Sequence, residues 1–175
     1  ASRRAHGMLD PQAPLGESPF DYNVYVIAGD GCLQEGISGE ASSLAGVQDL
    51  GNLIVIWDDN HISIEDDTNV SFQEDVLKRY EAYGWHTQRV DWLSADGSYQ
   101  EDVNALDEAI CVAKAEKTKP SIIALRTIIG WPSPSKQNTG VIHGAKLGAE
   151  ELKGLKEALG ADPEKMFVVD EQVLK

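Results

Sequence analysis

Hydrophobic positions recur along this chain with two different periods. Short runs of apolar, mostly β-branched residues predict buried parallel strands, whereas apolar positions three or four residues apart predict helices. The predicted strands are 24–28, 53–57, 85–90 and 121–127. The predicted helices are 35–50, 73–83, 99–116 and 150–159, the last of them ended by Gly160. This alternation predicts an α/β fold in which helices cover both faces of a parallel sheet.

Three segments show neither period. An arm at residues 1–22, rich in Pro and Gly after Asp10, is predicted to be irregular. Long loops are predicted from 58 to about 71 and from 128 to 148. Loops longer than about 12–15 residues in a compact domain are commonly functional, so we expect ligand contacts in these two.

The composition limits the classes of protein that the chain fits. A length of 175 residues suits one domain with a real core and leaves no room for two large ones. The net charge of −14 argues against binding to nucleic acid, which depends on Lys and Arg. Two cysteines, Cys32 and Cys111, are too few for a disulfide framework and favour a reducing cytoplasm. No run approaches the ~20 apolar residues of a membrane span, and no signal-peptide pattern begins the chain.

Polar side chains follow the first two predicted strands. Gly29, Asp30 and Gly31 come directly after the first strand, and Asn60 ends the polar run that follows the second. In open α/β sheets, ligands bind just beyond the carboxyl ends of strands, so Asp30 and Asn60 are expected to emerge side by side. Carboxylate and amide oxygens suit Mg²⁺, which shares its octahedral coordination with waters and substrate phosphates. The pattern therefore predicts a Mg²⁺–diphosphate site that the glycine backbone can approach closely.

Each candidate also has a simpler interpretation. For Gly-Asp-Gly alone, a strand-to-helix turn in which Asp30 caps a helix is the favoured one. A histidine such as His143 in a loop is more often structural or exposed, although its near-neutral pKa suits proton transfer. The acidic group that follows the second strand is best interpreted as a solvated loop; it comprises Asp58, Asp59, Glu65, Asp66 and Asp67.

Two glutamates lie in the segment predicted as the first helix. Glu35 and Glu40 are surface acids in the simplest interpretation. The apolar face of that helix is predicted to contain Ile37, Ala41, Leu44 and Ala45.

A longer motif is more specific than any of these short ones. Residues 29–66, GDGCLQEGISGEASSLAGVQDLGNLIVIWDDNHISIED, closely resemble the thiamine-diphosphate signature of transketolases. The segments EAYGWH (81–86), KPSIIALRTIIG (119–130) and HGAKLG (143–148) also resemble transketolase segments, in the same order. The resemblance covers nearly the whole chain. It extends to the decarboxylase component of bacterial pyruvate dehydrogenase, but LQEGIS and HGAKLG favour transketolase.

The resemblance implies the thiamine-diphosphate-binding fold and a role for each matching residue. Asp30 and Asn60 would ligate Mg²⁺ through their side chains, and Ile62 through its backbone carbonyl. The main-chain amide of Gly31 would approach the diphosphate, next to Gly29.

Three further residues receive roles from the resemblance alone. Glu35 and Glu40 match family glutamates near the cofactor and at the dimer interface. His143 matches a histidine that reaches toward the cofactor and assists proton transfers involving sugar hydroxyls.

The resemblance also implies a reaction and partners. Transketolases transfer a two-carbon ketol unit between a ketose phosphate and an aldose phosphate in the pentose phosphate pathway, as homodimers. Residues 1–175 would be part of the diphosphate-binding module of such an enzyme. The pyrimidine-binding module, with its activating glutamate, has no counterpart here, so the chain on its own is expected to be inactive or nearly so. A decarboxylase component and a non-catalytic binding or scaffold module remain as alternatives.

Overall fold

The computed structural model describes residues 2–14, 16–64, 66–169 and 171–174. The chain divides into two compact units. The first unit comprises residues 1–59 and 74–127, and the second comprises residues 60–73 and 128–175. The second unit consists mainly of the two long loops and the last helix.

The described residues form six strands and six helices. The strands are β1 Val24–Gly29, β2 Leu53–Asp59, β3 Ile62–Ser63, β4 Asp66–Asp67, β5 His86–Asp91 and β6 Ser121–Arg126. The helices are α1 Ser2–Leu9, α2 Asp30–Gln34, α3 Gly36–Val47, α4 Val76–Ala82, α5 Val103–Ala115 and α6 Ala149–Ala158. All four predicted strands and all four predicted helical regions are present, with shifted ends.

The first unit is built on a parallel sheet with the strand order β1-β2-β6-β5. Gly29 is paired with Asp58, and Asp58 is paired with Leu125. The carboxyl ends of β1, β2 and β6 therefore lie at the same edge of the sheet. The predicted α/β fold with a parallel sheet is confirmed.

Polar caps explain why helices begin later than predicted. The Asp75 carboxylate accepts a hydrogen bond from the Lys78 N–H, and α4 begins at the next residue, Val76. The Asp102 carboxylate accepts from the Ala105 N–H in the same way at the start of α5. An aspartate at the N-cap satisfies a backbone donor of the first turn and so sets the helix boundary.

The arm at residues 1–22 is not irregular throughout. Ser2–Leu9 forms α1, so the prediction is wrong for these residues. No proline occurs before Pro11, and a proline disfavours helical backbone at the residue that precedes it. Regular structure therefore ends where the prolines begin.

One face of the sheet packs against α5. Ile54 and Ile123 project from the strands toward Ala109 and Ala113 of this helix, and Ile54, Ile123 and Ala113 have no exposed surface. Leu125 completes this buried cluster at the carboxyl end of β6. Burying such side chains contributes about 1.5–3 kcal/mol each for isoleucine and leucine.

The other face of the sheet is covered by α3 and α4, and here the predicted apolar face of α3 is wrong in part. Small residues, Ser42 and Ala45, are buried, whereas Ile37 and Leu44 are exposed. The Ser42 hydroxyl donates to the Tyr80 hydroxyl at 3.1 Å, and Trp85 Nε1 donates to the Ser42 carbonyl at 2.8 Å. The helix packs its small side chains inward because this allows close approach, which leaves its large apolar side chains outside.

The edge strand β1 has an exposed apolar surface. Ile27 is 80% exposed, and Tyr25 on the same face of the strand is also exposed. An uncovered apolar edge of this kind is normally paired or covered in a whole protein.

The second unit contains the antiparallel pair β3–β4, in which Ile62 is opposite Asp67 and Ser63 is opposite Asp66. It also contains the 3₁₀ turns Thr68–Val70 and Gly140–Ile142, and α6. Gly160 has φ +69°, and its N–H donates to Glu157 O, which confirms the predicted glycine cap after α6. No helix in the described ranges combines the length and apolar character needed to cross a membrane.

Candidate functional site

Asp30 lies immediately beyond β1, as the first residue of α2. Its side chain is buried, with 7% exposure, and Oδ1 accepts a hydrogen bond from Trp57 Nε1 at 3.1 Å. The N-cap of α2 is Gly29, so Asp30 is not the capping residue that the simpler interpretation required. A buried carboxylate is costly unless it is hydrogen-bonded or paired, which makes this position suitable for a cation.

Open space adjoins the two glycines that flank Asp30. A Cβ at Gly29 or Gly31 would meet no atom within 4 Å beyond its chain neighbours and the backbone of its own helix. Gly31 lies in the helical turn of α2 and is not among the described glycines with positive φ. Neither packing nor left-handed backbone therefore demands glycine here, whereas close approach by a ligand would.

Asn60 and Ile62 lie in the second unit, on the segment that continues from β2. Both are buried, and Asn60 Oδ1 accepts a hydrogen bond from the Ile62 N–H at 2.9 Å. The His61 between them has φ +63°, which bends the chain tightly. An amide oxygen has two lone pairs, so this bond orients Asn60 and still allows Oδ1 to bind a cation.

The donor set suits magnesium. An aspartate carboxylate, an asparagine amide and a backbone carbonyl are hard oxygen ligands of the kind that Mg²⁺ binds together with water and phosphate oxygens. In the part of the chain that the structure describes, no group of three or more His, Cys, Asp or Glu side chains is arranged to hold a metal ion.

Asp58 and Asp59 belong to β2 and not to a solvated loop, so that expectation is wrong for them. The Thr127 hydroxyl donates to Asp58 Oδ1, and the Arg126 guanidinium donates to the Asp59 backbone carbonyl at 2.7 Å. The Asp59 carboxylate is 1% exposed and lies 3.4 Å from the guanidinium of Arg89. Neighbouring strands thus stabilise the end of β2.

Arg126 and Thr127 were not identified as candidate site residues from the sequence. The usable signal was positional, because Arg126 and Thr127 end a buried apolar run just as Asp30 and Asn60 do. Asp66 and Asp67 form β4, and Glu65 lies outside the described residues.

Glu35 and Glu40 are both exposed. Glu35 lies between α2 and α3, and Glu40 lies on α3. Glu40 lines a shallow surface hollow together with Gly36, Leu44, Val47 and Tyr83. Both glutamates therefore lie at the surface of this chain.

His143 is exposed and directly follows the 3₁₀ turn Gly140–Ile142. Its backbone N–H donates to Gly140 O at 3.0 Å. Ile142, the preceding residue, packs on Gly130, where a Cβ would overlap the Ile142 side chain. The histidine is therefore held at the surface of the second unit by the turn before it.

A second anchor of this loop is the carboxylate of Glu151 in the first turn of α6. It accepts hydrogen bonds from the Ser133 and Ser135 hydroxyls and from the backbone N–H groups of Ser135 and Lys136. These bonds, that from Ser133 first, lower the pKa of Glu151 to about 2. The segment 133–136 is thus tied to α6, and most strongly while Glu151 is ionised.

Comparisons with known proteins identify the chain. Residues 3–175 match the family described as "Transketolase, thiamine diphosphate binding domain". The transketolase of Mycobacterium leprae is 52% identical over 174 residues, which are 99% of this chain and 24% of that protein. The chain therefore spans about a quarter of the length of such relatives.

Solved structures of transketolases are also similar to this chain. Transketolase from Leishmania mexicana has a TM-score of 0.85 and 40% identity, covering 98% of this chain and 24% of its own. A Pichia stipitis transketolase in complex with sedoheptulose 7-phosphate has a TM-score of 0.78 and 46% identity, covering 87% of this chain and 23% of its own. The chain belongs to the transketolase family and represents part of its thiamine-diphosphate-binding domain.

Proposed function

We propose that the whole protein containing this chain is a transketolase that uses thiamine diphosphate and Mg²⁺. It transfers a two-carbon ketol unit from a ketose phosphate to an aldose phosphate. The observation that carries the proposal is the buried Asp30 carboxylate, oriented by Trp57 beyond β1, in a chain 52% identical to a named transketolase.

In this proposal, the chain's own residues bind and orient the cofactor. Asp30 and Asn60 ligate Mg²⁺ by side-chain oxygens, and Ile62 does so by its carbonyl. The open space at Gly29 and Gly31 accommodates the diphosphate. The cation is needed because a diphosphate is repelled by a bare carboxylate. The bound cofactor supplies the carbon chemistry, which these residues position.

His143 is the proposed proton carrier of this chain. It is exposed on a turn whose backbone is tied down, so its imidazole is accessible to a substrate hydroxyl. A histidine imidazole can both accept and donate a proton. The sugar phosphate bound to the Pichia stipitis relative supports a substrate of that class.

The outer face of α3 is the proposed dimer interface. Ile37, Leu44 and Val47 are exposed there, next to Glu40. A helix that buries its small side chains and exposes its large apolar ones fits a surface that another subunit covers. Exposed β1 likewise fits contact with further protein. We place the protein in a reducing cytoplasm, because the described Cys32 and Cys111 are both free and exposed.

The test is Mg²⁺-dependent binding of thiamine diphosphate by the whole protein, measured by calorimetry. Asp30→Asn retains an oxygen for Trp57 but removes the charge, and we expect it to weaken binding by at least the roughly 10–100-fold that the loss of an outer-shell partner of a metal ligand costs. Asp107→Asn, on the exposed side of α5, is the control. Unchanged cofactor affinity in Asp30→Asn would refute the ligand role.

Substrate choice needs its own assay. The whole protein is supplied in parallel with xylulose 5-phosphate plus ribose 5-phosphate, and with pyruvate. We expect ketol transfer and no decarboxylation; the reverse result assigns a decarboxylase component. Absence of both reactions and of cofactor binding assigns a scaffold module. The 175-residue chain by itself is expected to be inactive, and measurable ketol transfer by it would contradict this.

A further inference from the structure

Asp66 has an unusual backbone conformation. It begins β4 opposite Ser63 and has φ +75°, in the left-handed region where glycine is the usual residue. Aspartate and asparagine tolerate this region better than other side chains do. The position therefore combines a glycine-like backbone with a carboxylate.

That carboxylate binds a distant part of the same unit. Asp66 Oδ1 accepts a hydrogen bond from the Gly140 N–H at 2.5 Å, although the two residues are 74 positions apart. A Cβ at Gly140 would lie 3.0 Å from Asp66 Cα and 3.1 Å from Asp66 N. Gly140 is not among the described glycines with positive φ, so space and not conformation calls for glycine there. The two backbones thus meet in close contact.

The contact joins the two segments that carry the proposed site residues of the second unit. On one side, Ile62 and Ser63 pair with Asp67 and Asp66, and Ile62 N–H donates to Asn60 Oδ1. On the other side, Gly140 begins a 3₁₀ turn, and the Gly140 carbonyl accepts a hydrogen bond from the His143 N–H. A short series of hydrogen bonds therefore runs from Asn60 to the backbone of His143.

We propose that Asp66 is a positioning residue, which couples the proposed metal-ligand segment, residues 60–62, to the proposed proton carrier His143. The inference rests on the proposed function for those roles. The Asp66 side chain is exposed and adds little to a core, so its bond to Gly140 acts by placing the turn before His143.

The test uses two substitutions at Asp66 in the whole protein. Asp66→Gly keeps the backbone conformation and removes the carboxylate. Asp66→Asn keeps an oxygen acceptor and tolerates the same φ. The matched control is Asp67→Gly, because Asp67 belongs to the same strand but its side chain accepts from the Asn69 N–H instead.

Amide hydrogen exchange measures the bond directly. We expect Asp66→Gly to accelerate exchange at Gly140 at least tenfold, and Asp66→Asn to restore slow exchange. Unchanged exchange at Gly140 in Asp66→Gly, or equal acceleration in Asp67→Gly, would overturn the inference.

A double-mutant cycle measures the coupling to His143. Asp66→Gly should lower kcat for ketol transfer about tenfold in the otherwise unaltered protein and have no further effect in His143→Ala, because it acts through that residue. Equal loss in both backgrounds would overturn the positioning role.

The same measurements separate this inference from the proposed function. If His143→Ala leaves kcat unchanged, the role proposed for His143 is wrong and the positioning role falls with it. The exchange experiment then reports only whether the Asp66–Gly140 bond exists. If His143→Ala lowers kcat but Asp66→Gly does not, only the inference about Asp66 is wrong.

Discussion

Trp57 donates its indole N–H to the Asp30 carboxylate at 3.1 Å, so the residue that follows β1 is oriented by a side chain of β2. The two residues are 27 positions apart and meet because β1 and β2 are adjacent parallel strands. The short Gly-Asp-Gly motif thus depends on a residue outside it for the direction of its carboxylate.

Replacing this tryptophan should weaken cofactor binding. We expect Trp57→Phe to reduce Mg²⁺-dependent affinity for thiamine diphosphate by roughly 10–100-fold, since hydrogen bonds to charged groups contribute roughly 1.5–3 kcal/mol. Trp92→Phe is the control, because Trp92 Nε1 donates to Asp102 O at 3.0 Å, away from Asp30. Calorimetric titration of the whole protein compares the two variants. Equal losses would mean that the effect is a general one of tryptophan removal.

A charge on the outer face of α3 should prevent dimerisation. Val47 is 78% exposed on this face, and Val47→Glu would place a carboxylate in the proposed apolar interface. We expect a shift from dimer to monomer in sedimentation experiments with the whole protein. Val112→Glu, at an exposed valine of α5, should leave the assembly unchanged. A monomeric unaltered protein, or dissociation by Val112→Glu alone, would contradict this interface.

A methyl group at Gly46 should destabilise the first unit. A Cβ there would overlap the backbone carbonyl of Tyr83, where α3 and α4 approach each other. We expect Gly46→Ala to lower the free energy of unfolding by about 2 kcal/mol, as overpacking commonly does. Gly7→Ala, in α1 with open space around it, should be neutral or slightly stabilising. Denaturant titration measures both, and equal stability of the two variants would argue against the close approach.

The hydrogen bonds to Glu151 should make stability depend on acid pH. Its pKa of about 2 in the folded protein lies below its usual 4.5. The stability that Glu151 contributes is therefore complete above pH 4.5 and is lost as the pH falls toward 2. Glu151→Gln should be less stable at pH 6 and show a weaker loss of stability between pH 4.5 and 2.

The neighbouring glutamate provides the control for this pH dependence. Glu150→Gln changes the same charge in the same helical turn, at an exposed position. Denaturation at several pH values should show the unaltered pH dependence for this variant. Identical profiles for Glu151→Gln and the unaltered protein would refute the anchoring role of Glu151.

The pattern of hydrophobic positions predicted strands and helices well wherever burial follows the period of the element. The run Leu53 to Trp57 is apolar because β2 lies in the middle of the sheet, and the pattern shows this without knowledge of its neighbours. The same method failed for α3, whose outward side chains are as apolar as its inward ones. A hydrophobic side chain prefers burial, but the sequence does not tell whether the same chain or another subunit covers that side chain.

The sequence pattern likewise named some candidate site residues but not the side chains that orient them. Asp30 and Asn60 could be named as candidates from the sequence, because polar residues directly after buried parallel strands are expected at one edge of the sheet. The hydrogen-bond partners of Trp57, Arg126 and Glu151 could not be named in this way, because they are 27, 67 and 15–18 residues away in the chain. Hydrogen bonds between such distant residues exist only after the strands have been ordered.

The amino-acid sequence by itself determined the alternation of strands and helices, the family motif and the residue types available to bind a cation. Only the tertiary structure decided the strand order β1-β2-β6-β5, the inward turn of the small face of α3, and the division into two units. The physical reason is that local periodicity records which positions are buried, whereas the choice of partner depends on packing between segments far apart in the chain.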